Sequence, residues 1–136
     1  MTNGEAPSVA RPGPTGLLVA ANLVYAMVLM FFAYIPHIPE PLGVRVPDVV
    51  SHGVAYGLQA LLLLLLLSRL TSPVLAAFGA CLGTALFGGL TEVVQLLQPT
   101  RATQLSDLGA DCVGAAVAVA VGLAVLLQHR DGMNER

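Results

Sequence analysis

Apolar residues fall into four long blocks along this chain, each closed by turn-forming residues. The first block, 17–35, carries no charge, and Pro36, Pro39 and Pro41 follow it, where a helix cannot continue. The second, 49–67, opens behind Pro47, which suits a helical first turn. It ends in the unbroken leucines 61–67, a lipid-facing or packing surface, ahead of Arg69. Thr71, Ser72 and Pro73 make a tight turn into the third block, 74–97, about 36 Å long at a helical rise of 1.5 Å per residue. A short stretch with Pro99 and Arg101 leads to the fourth, 105–127. Blocks of this length predict four membrane-spanning helices: an all-α, four-transmembrane-helix bundle with short loops, forming one domain over 17–128. Residues 1–16, rich in proline and glycine, read as a flexible arm, and 129–136 as a polar, frayed tail.

The polar positions inside these blocks are patterned. Asp48, His52, Tyr56 and Gln59 follow one another at spacings of four, four and three, which is one helical face. Gly88, Glu92 and Gln95 share a face of the third helix, and Asp107 and Asp111 a face of the fourth. Asp107 stands in the first turns of its helix, where the dipole favours an acid, with Thr103 or Ser106 as cap. Small residues form stripes suited to close helix packing: Gly53 and Gly57, Gly79 and Gly83, and Ala110, Gly114, Ala118 and Gly122. Asn22 and Tyr25 are the polar features of the first helix; they face another helix, or Tyr25 anchors at the interface.

Composition agrees. Hydrophobic residues make up 56% and charged residues 10% of the 136, where a soluble domain carries about 25% charged residues. Mean hydropathy is +0.79. The net charge of -2 gives no footing for nucleic acid. Cys81 and Cys112 sit in apolar runs and read as buried thiols, not a disulfide or a metal pair. The first block is too long, and too aromatic and proline-rich at its end, for a cleaved signal peptide, and reads as a retained anchor.

Four spans put both termini on one side. That side holds Arg11, Arg69, Arg130 and Arg136, the other Arg45 and Arg101, so the positive-inside rule places both termini in the cytoplasm. His52, Glu92, Asp107 and Asp111 then fall in one leaflet, with Glu92 about 8 Å from its helix end. Charges are costly there unless paired or neutralised. We expect a polar pocket opening outward, with Glu92 and Asp111 as its floor, Asp48, Arg101 and Asp107 as its rim, and His52 and Tyr56 on one wall. Arg101 or His52 is the expected partner of Glu92. The competing reading is structural. Asp48 caps a helix, His52 is a packed core histidine, Gln95 satisfies its surroundings, and Arg101 and Asp107 close a loop as an ion pair. His37 and His129 read as incidental.

The chain lacks the zinc-protease, nucleophile-elbow, phosphate-loop and CxxC motifs. One histidine with several carboxylates could bind a divalent cation, but a hard-cation site lacks its repeated ligand pattern here, so the sequence assigns no metal, and it names no cofactor. A histidine with carboxylates suits acid–base work, and Arg101 suits an anionic group.

The pieces PDVVSHGVAY and TEVVQLLQPTRATQLSDLGADCVGAA resemble the VanZ-like family of small bacterial membrane proteins. The resemblance runs from about Pro47 to Leu123, with the first helix matching only in character. In that family a helix opens with an acid–lysine–x–x–His pattern and an aromatic. A Glu–x–x–Gln helix end, a loop arginine, an aspartate, and an asparagine before a Gly–Ala helix come later. Here Val49 replaces the lysine and Asp111 the asparagine. Ionised, Asp111 makes the pocket more acidic than in the relatives and favours a cation; the alternative is that Glu92 nearby keeps it protonated, since two like charges do not readily share a site. The resemblance implies a multi-pass protein of the bacterial plasma membrane acting near the envelope face. The family's named member is associated with resistance to teicoplanin, which implies an antibiotic-resistance role only loosely, and most relatives have no established activity.

Two functional classes follow. One is a binding module for an envelope-related lipid, lipid-linked amphiphile or glycopeptide-type ligand, held by Asp48, Tyr56, Gln95, Arg101 and Asp111. The other is a small intramembrane hydrolase or transferase acting on a lipid head group. There His52, Glu92 and Asp107 are catalytic, His52 as base or ligand and the two carboxylates as acid or metal ligands, and Arg101 is an anion clamp. The bilayer is the expected partner, and the glycine stripes leave homo-oligomerisation open.

Overall fold

A computed structural model describes residues 13–35, 47–97 and 105–134. Arg11, Arg45, Arg101 and Arg136, His37, Thr103 and the prolines of both longer loops lie outside the described residues. The described residues form four helices and no strand: α1 (Pro14–Tyr34), α2 (Asp48–Leu67), α3 (Pro73–Leu96) and α4 (Leu105–Asn134). Each is long and apolar enough to cross a membrane. The protein is a multi-pass membrane protein.

The helix ends follow from local chemistry. Pro14 opens α1 at a first-turn position, so the helix begins inside the stretch expected to be irregular. Pro47 lies just outside α2, and its carbonyl accepts from the backbone N–H of Val50 and Ser51. Ser72 caps α3, its Oγ accepting from the Leu75 N–H at 3.4 Å, with Pro73 following. α4 continues through the polar tail to Asn134, several residues beyond the expected end and past the apolar part of the helix at His129.

The bundle is apolar outside and small or polar inside. Phe31 and Phe78 are 60% and 68% exposed, and Leu86, Val113 and Val121 also face outward. Ala60, Ala76, Ala80, Thr84, Thr91 and Asp111 are buried. In a bilayer the outer surface meets lipid, and packing inside depends on small residues and hydrogen bonds. Both cysteines are unpaired thiols, but neither is buried: Cys112 is exposed and Cys81 half-buried, so the apolar surroundings of Cys112 are lipid.

α2 shares its most extensive interface with α4. The two run in the same direction, Gly53 lying against Ala110 and Gly114, Gly57 against Gly114 and Ala118, and Gly122 against Leu61 and Leu64. α3 runs antiparallel to α2, with Gly79 against Leu67 and Gly83 against Leu63. The leucine block is thus largely a packing surface, and Leu64 is fully buried among Ala60, Ala76, Ala80, Ala115 and Val119.

α1 packs on α2 and α3 and is tied by polar bonds. Asn22 Nδ2 donates to the carbonyls of Leu18 at 2.9 Å and Leu62 at 3.0 Å. Gln59 Nε2 donates to Asn22 Oδ1 at 3.2 Å, and the Tyr25 hydroxyl to the Ala55 carbonyl at 3.1 Å. Both Asn22 and Tyr25 therefore face another helix, as one of the two readings expected.

Candidate functional site

The start of α2, the end of α3 and the start of α4 meet at one end of the bundle, and the polar residues of these segments converge there. The glycine stripes make this possible. An ideal Cβ on Gly114 would overlap the Gly53 carbonyl, so the α2 and α4 backbones touch at this level. That approach brings His52 of α2 within reach of Asp111 of α4. His52 Nδ1 lies 3.0 Å from Asp111 Oδ1.

An ionised carboxylate only accepts, so with Asp111 ionised the Nδ1–H donates to it and Nε2 is turned toward another partner. The His52 side chain is 17% exposed and that of Asp111 is fully buried. Asp111 Oδ2 has no hydrogen-bond partner among the described residues. It points at α3, where a Cβ on Gly88 would stand 2.9 Å away, so glycine at 88 makes room for this oxygen.

One ligand atom each from His52, Glu92 and Asp107 lies within 4.8 Å of the others. Three helices supply these three groups, and Asp111 stands behind the histidine. Asp107 is buried in the first turn of α4, where the N-terminal dipole favours its charge, and it accepts from the Ser106 hydroxyl at 3.3 Å. Ser106 lies within the helix and not at its cap.

Behind this group runs a buried polar chain. The Thr91 hydroxyl donates to the Gly88 carbonyl at 2.8 Å, which spends its single hydrogen. Tyr56 must therefore donate to Thr91 Oγ1, and that bond joins α2 to α3. The Tyr56 ring is stacked nearly parallel to the His52 ring, 10° apart with centroids at 5.8 Å. Packing and hydrogen bonds hold both rings in place.

The expected site residues thus separate. His52, Glu92, Asp107 and Asp111 come together, with Tyr56 against the histidine. His52 pairs with Asp111. Gln95 is buried on α3, one turn beyond Thr91. Asp48 is exposed at the start of α2 and stays outside the His52–Glu92–Asp107 group. Gln59, on the same sequence face as His52, turns to Asn22 on α1 instead. Arg101 lies outside the described residues.

Sequence reasoning missed Thr91 and the role of Gly88. The signal was present: Thr91 stands three residues after Gly88 and four before Gln95, on the same face as both.

A second feature lies along the α2–α4 seam. It is an open groove of about 680 Å³ lined only by apolar residues and glycine, among them Val49, Val54, Leu61, Val113 and Val117. None of the clustered polar residues lines it, so it is distinct from the polar pocket expected over Glu92 and Asp111.

No family model, no curated protein and no solved structure matches the chain.

Proposed function

We propose that this is a VanZ-like protein of the bacterial plasma membrane with both termini in the cytoplasm. Its polar end opens to the outer face and binds the head of an envelope-related lipid, lipid-linked amphiphile or glycopeptide-type ligand. One observation carries the reading: His52, Glu92 and Asp107 converge from three helices, with a buried aspartate behind the histidine. Four short helices do not need three carboxylates in one place to stay together, and burying charge opposes folding unless it is compensated. A site that meets a polar ligand explains the arrangement. Arg101, in the adjoining loop by sequence, supplies the contact to an anionic group.

The test is native mass spectrometry of the purified protein in nanodiscs of bacterial lipid, with candidate envelope amphiphiles added. Retention of an amphiphile that drops at least tenfold in Asp107→Asn and Arg101→Gln supports the reading. Equal retention by all three proteins contradicts it.

A second reading, an intramembrane hydrolase or transferase, draws on the His52–Asp111 pair. That pair sets the imidazole tautomer as an acid–base catalyst requires. Turnover of a head-group substrate that is lost in the double variant His52→Ala, Glu92→Gln is its expected signature. Turnover retained in that variant removes it.

A further inference from the structure

We infer that His52, Glu92 and Asp107 form a divalent transition-metal site, taking Zn²⁺ or Mn²⁺, with Asp111 as the outer partner that orients the histidine. The first ground is geometry. The three donor atoms lie within 4.8 Å of one another, and donors around one such ion, bound at about 2.0 to 2.2 Å, stand roughly 3 to 4 Å apart. With the His52 ring held, small rotations of the Glu92 and Asp107 side chains would bring the spread into that range. The second ground is independent of the cluster. The Asp111 carboxylate, fully buried, holds Nδ1 and directs Nε2 away from itself, the arrangement by which carboxylates orient histidine ligands of metals. Its other oxygen is buried with no partner among the described residues and faces Gly88 of α3.

The donor set selects the ion class. One imidazole nitrogen and two carboxylate oxygens suit borderline ions such as Zn²⁺ and Mn²⁺ better than Ca²⁺, which takes six to eight oxygens, or Cu⁺, which takes soft sulfur. Three protein donors leave coordination positions open. An ion there offers them to a phosphate or carboxylate, which deepens the head-group reading above by naming what the head group meets. Metal binding itself does not depend on that reading and is measured without any amphiphile.

The experiment uses the full chain in detergent micelles, stripped with a chelator and titrated with Zn²⁺ and, separately, Mn²⁺. Bound metal is counted by elemental analysis, and Co²⁺ substitution is followed by visible absorption. We expect one ion per chain, with affinity reduced at least tenfold in Glu92→Gln and in Asp107→Asn. The outer-partner change Asp111→Asn should weaken binding about 10- to 100-fold and shift the Co²⁺ spectrum. The double change Cys81→Ser, Cys112→Ser and the single change His129→Ala should bind as the parent does. Less than one equivalent in the folded parent overturns the inference. So does binding that survives Glu92→Gln and Asp107→Asn, or that vanishes with the cysteines or His129. If metal binding fails while amphiphile retention persists, only the metal inference falls. If metal binds and no amphiphile is retained, only the head-group reading falls.

Discussion

The two ends of this bundle use the same device for different purposes. At the leucine end, Gly79, Gly83 and Gly122 make room for the tips of Leu67, Leu63, Leu61 and Leu64. At the polar end, Gly114 makes room for the Gly53 backbone, and Gly88 for the Asp111 carboxylate. The first kind of glycine receives atoms that can rotate aside. The second receives a helix backbone, which cannot move aside, or a fully buried carboxylate already held by His52. A glycine stripe in a sequence announces close packing, but what it packs against decides how much depends on it.

Substitutions along the two ends sharpen this contrast. The largest effect is expected for Gly114→Ala, because the added methyl group meets the Gly53 backbone and must push α2 from α4. We expect a loss of roughly 3 kcal/mol or more in reversible detergent unfolding, with His52 and Asp111 separated. Gly88→Ala comes next, at roughly 2 kcal/mol, since its methyl group collides with Asp111 Oδ2. The same unfolding assay reads it, and any ligand or metal binding should fall in parallel. Tyr56→Phe should cost about 1 kcal/mol, the worth of one buried hydroxyl bond from α2 to Thr91. Smallest is Gly83→Ala at the leucine end, within about 0.5 kcal/mol of the parent. There alanine's helix preference offsets the displacement of a leucine methyl. If Gly83→Ala proved as damaging as Gly114→Ala, the distinction between the two ends would be lost.

Most of the fold was legible in the sequence because hydropathy and proline placement are strong signals in a membrane chain. The four helices match the four blocks, and helix starts at Asp48 and Pro73 follow the prolines. Less legible was which of the three small-residue stripes met each other. That α2 and α4 touch at Gly53 and Gly114 requires knowing the crossing point, which periodicity does not encode. The same limit shaped the site. Spacing put Gln59 on the His52 face, yet that face is wide enough to serve two neighbours, and Gln59 meets α1. The pairing of His52 with Asp111 joins residues 59 positions apart, and only the helix crossing selects it. Thr91 was overlooked because a threonine in an apolar helix carries no charge to draw the eye, although its hydroxyl links Gly88 to Tyr56. The cysteines misled because an apolar run does not distinguish core from lipid.

On the proposed reading the clustered carboxylates of the polar end hold a ligand, and the fold does not need their charge. Asp107→Asn tests this most directly, because it keeps the shape of a buried side chain while removing its charge. A thermal melt and a Zn²⁺ isotherm on the same preparation give both answers. We expect a melting temperature like the parent's and an affinity at least tenfold weaker. A protein that melts well below the parent yet binds Zn²⁺ as tightly would contradict this and make the cluster a structural clamp.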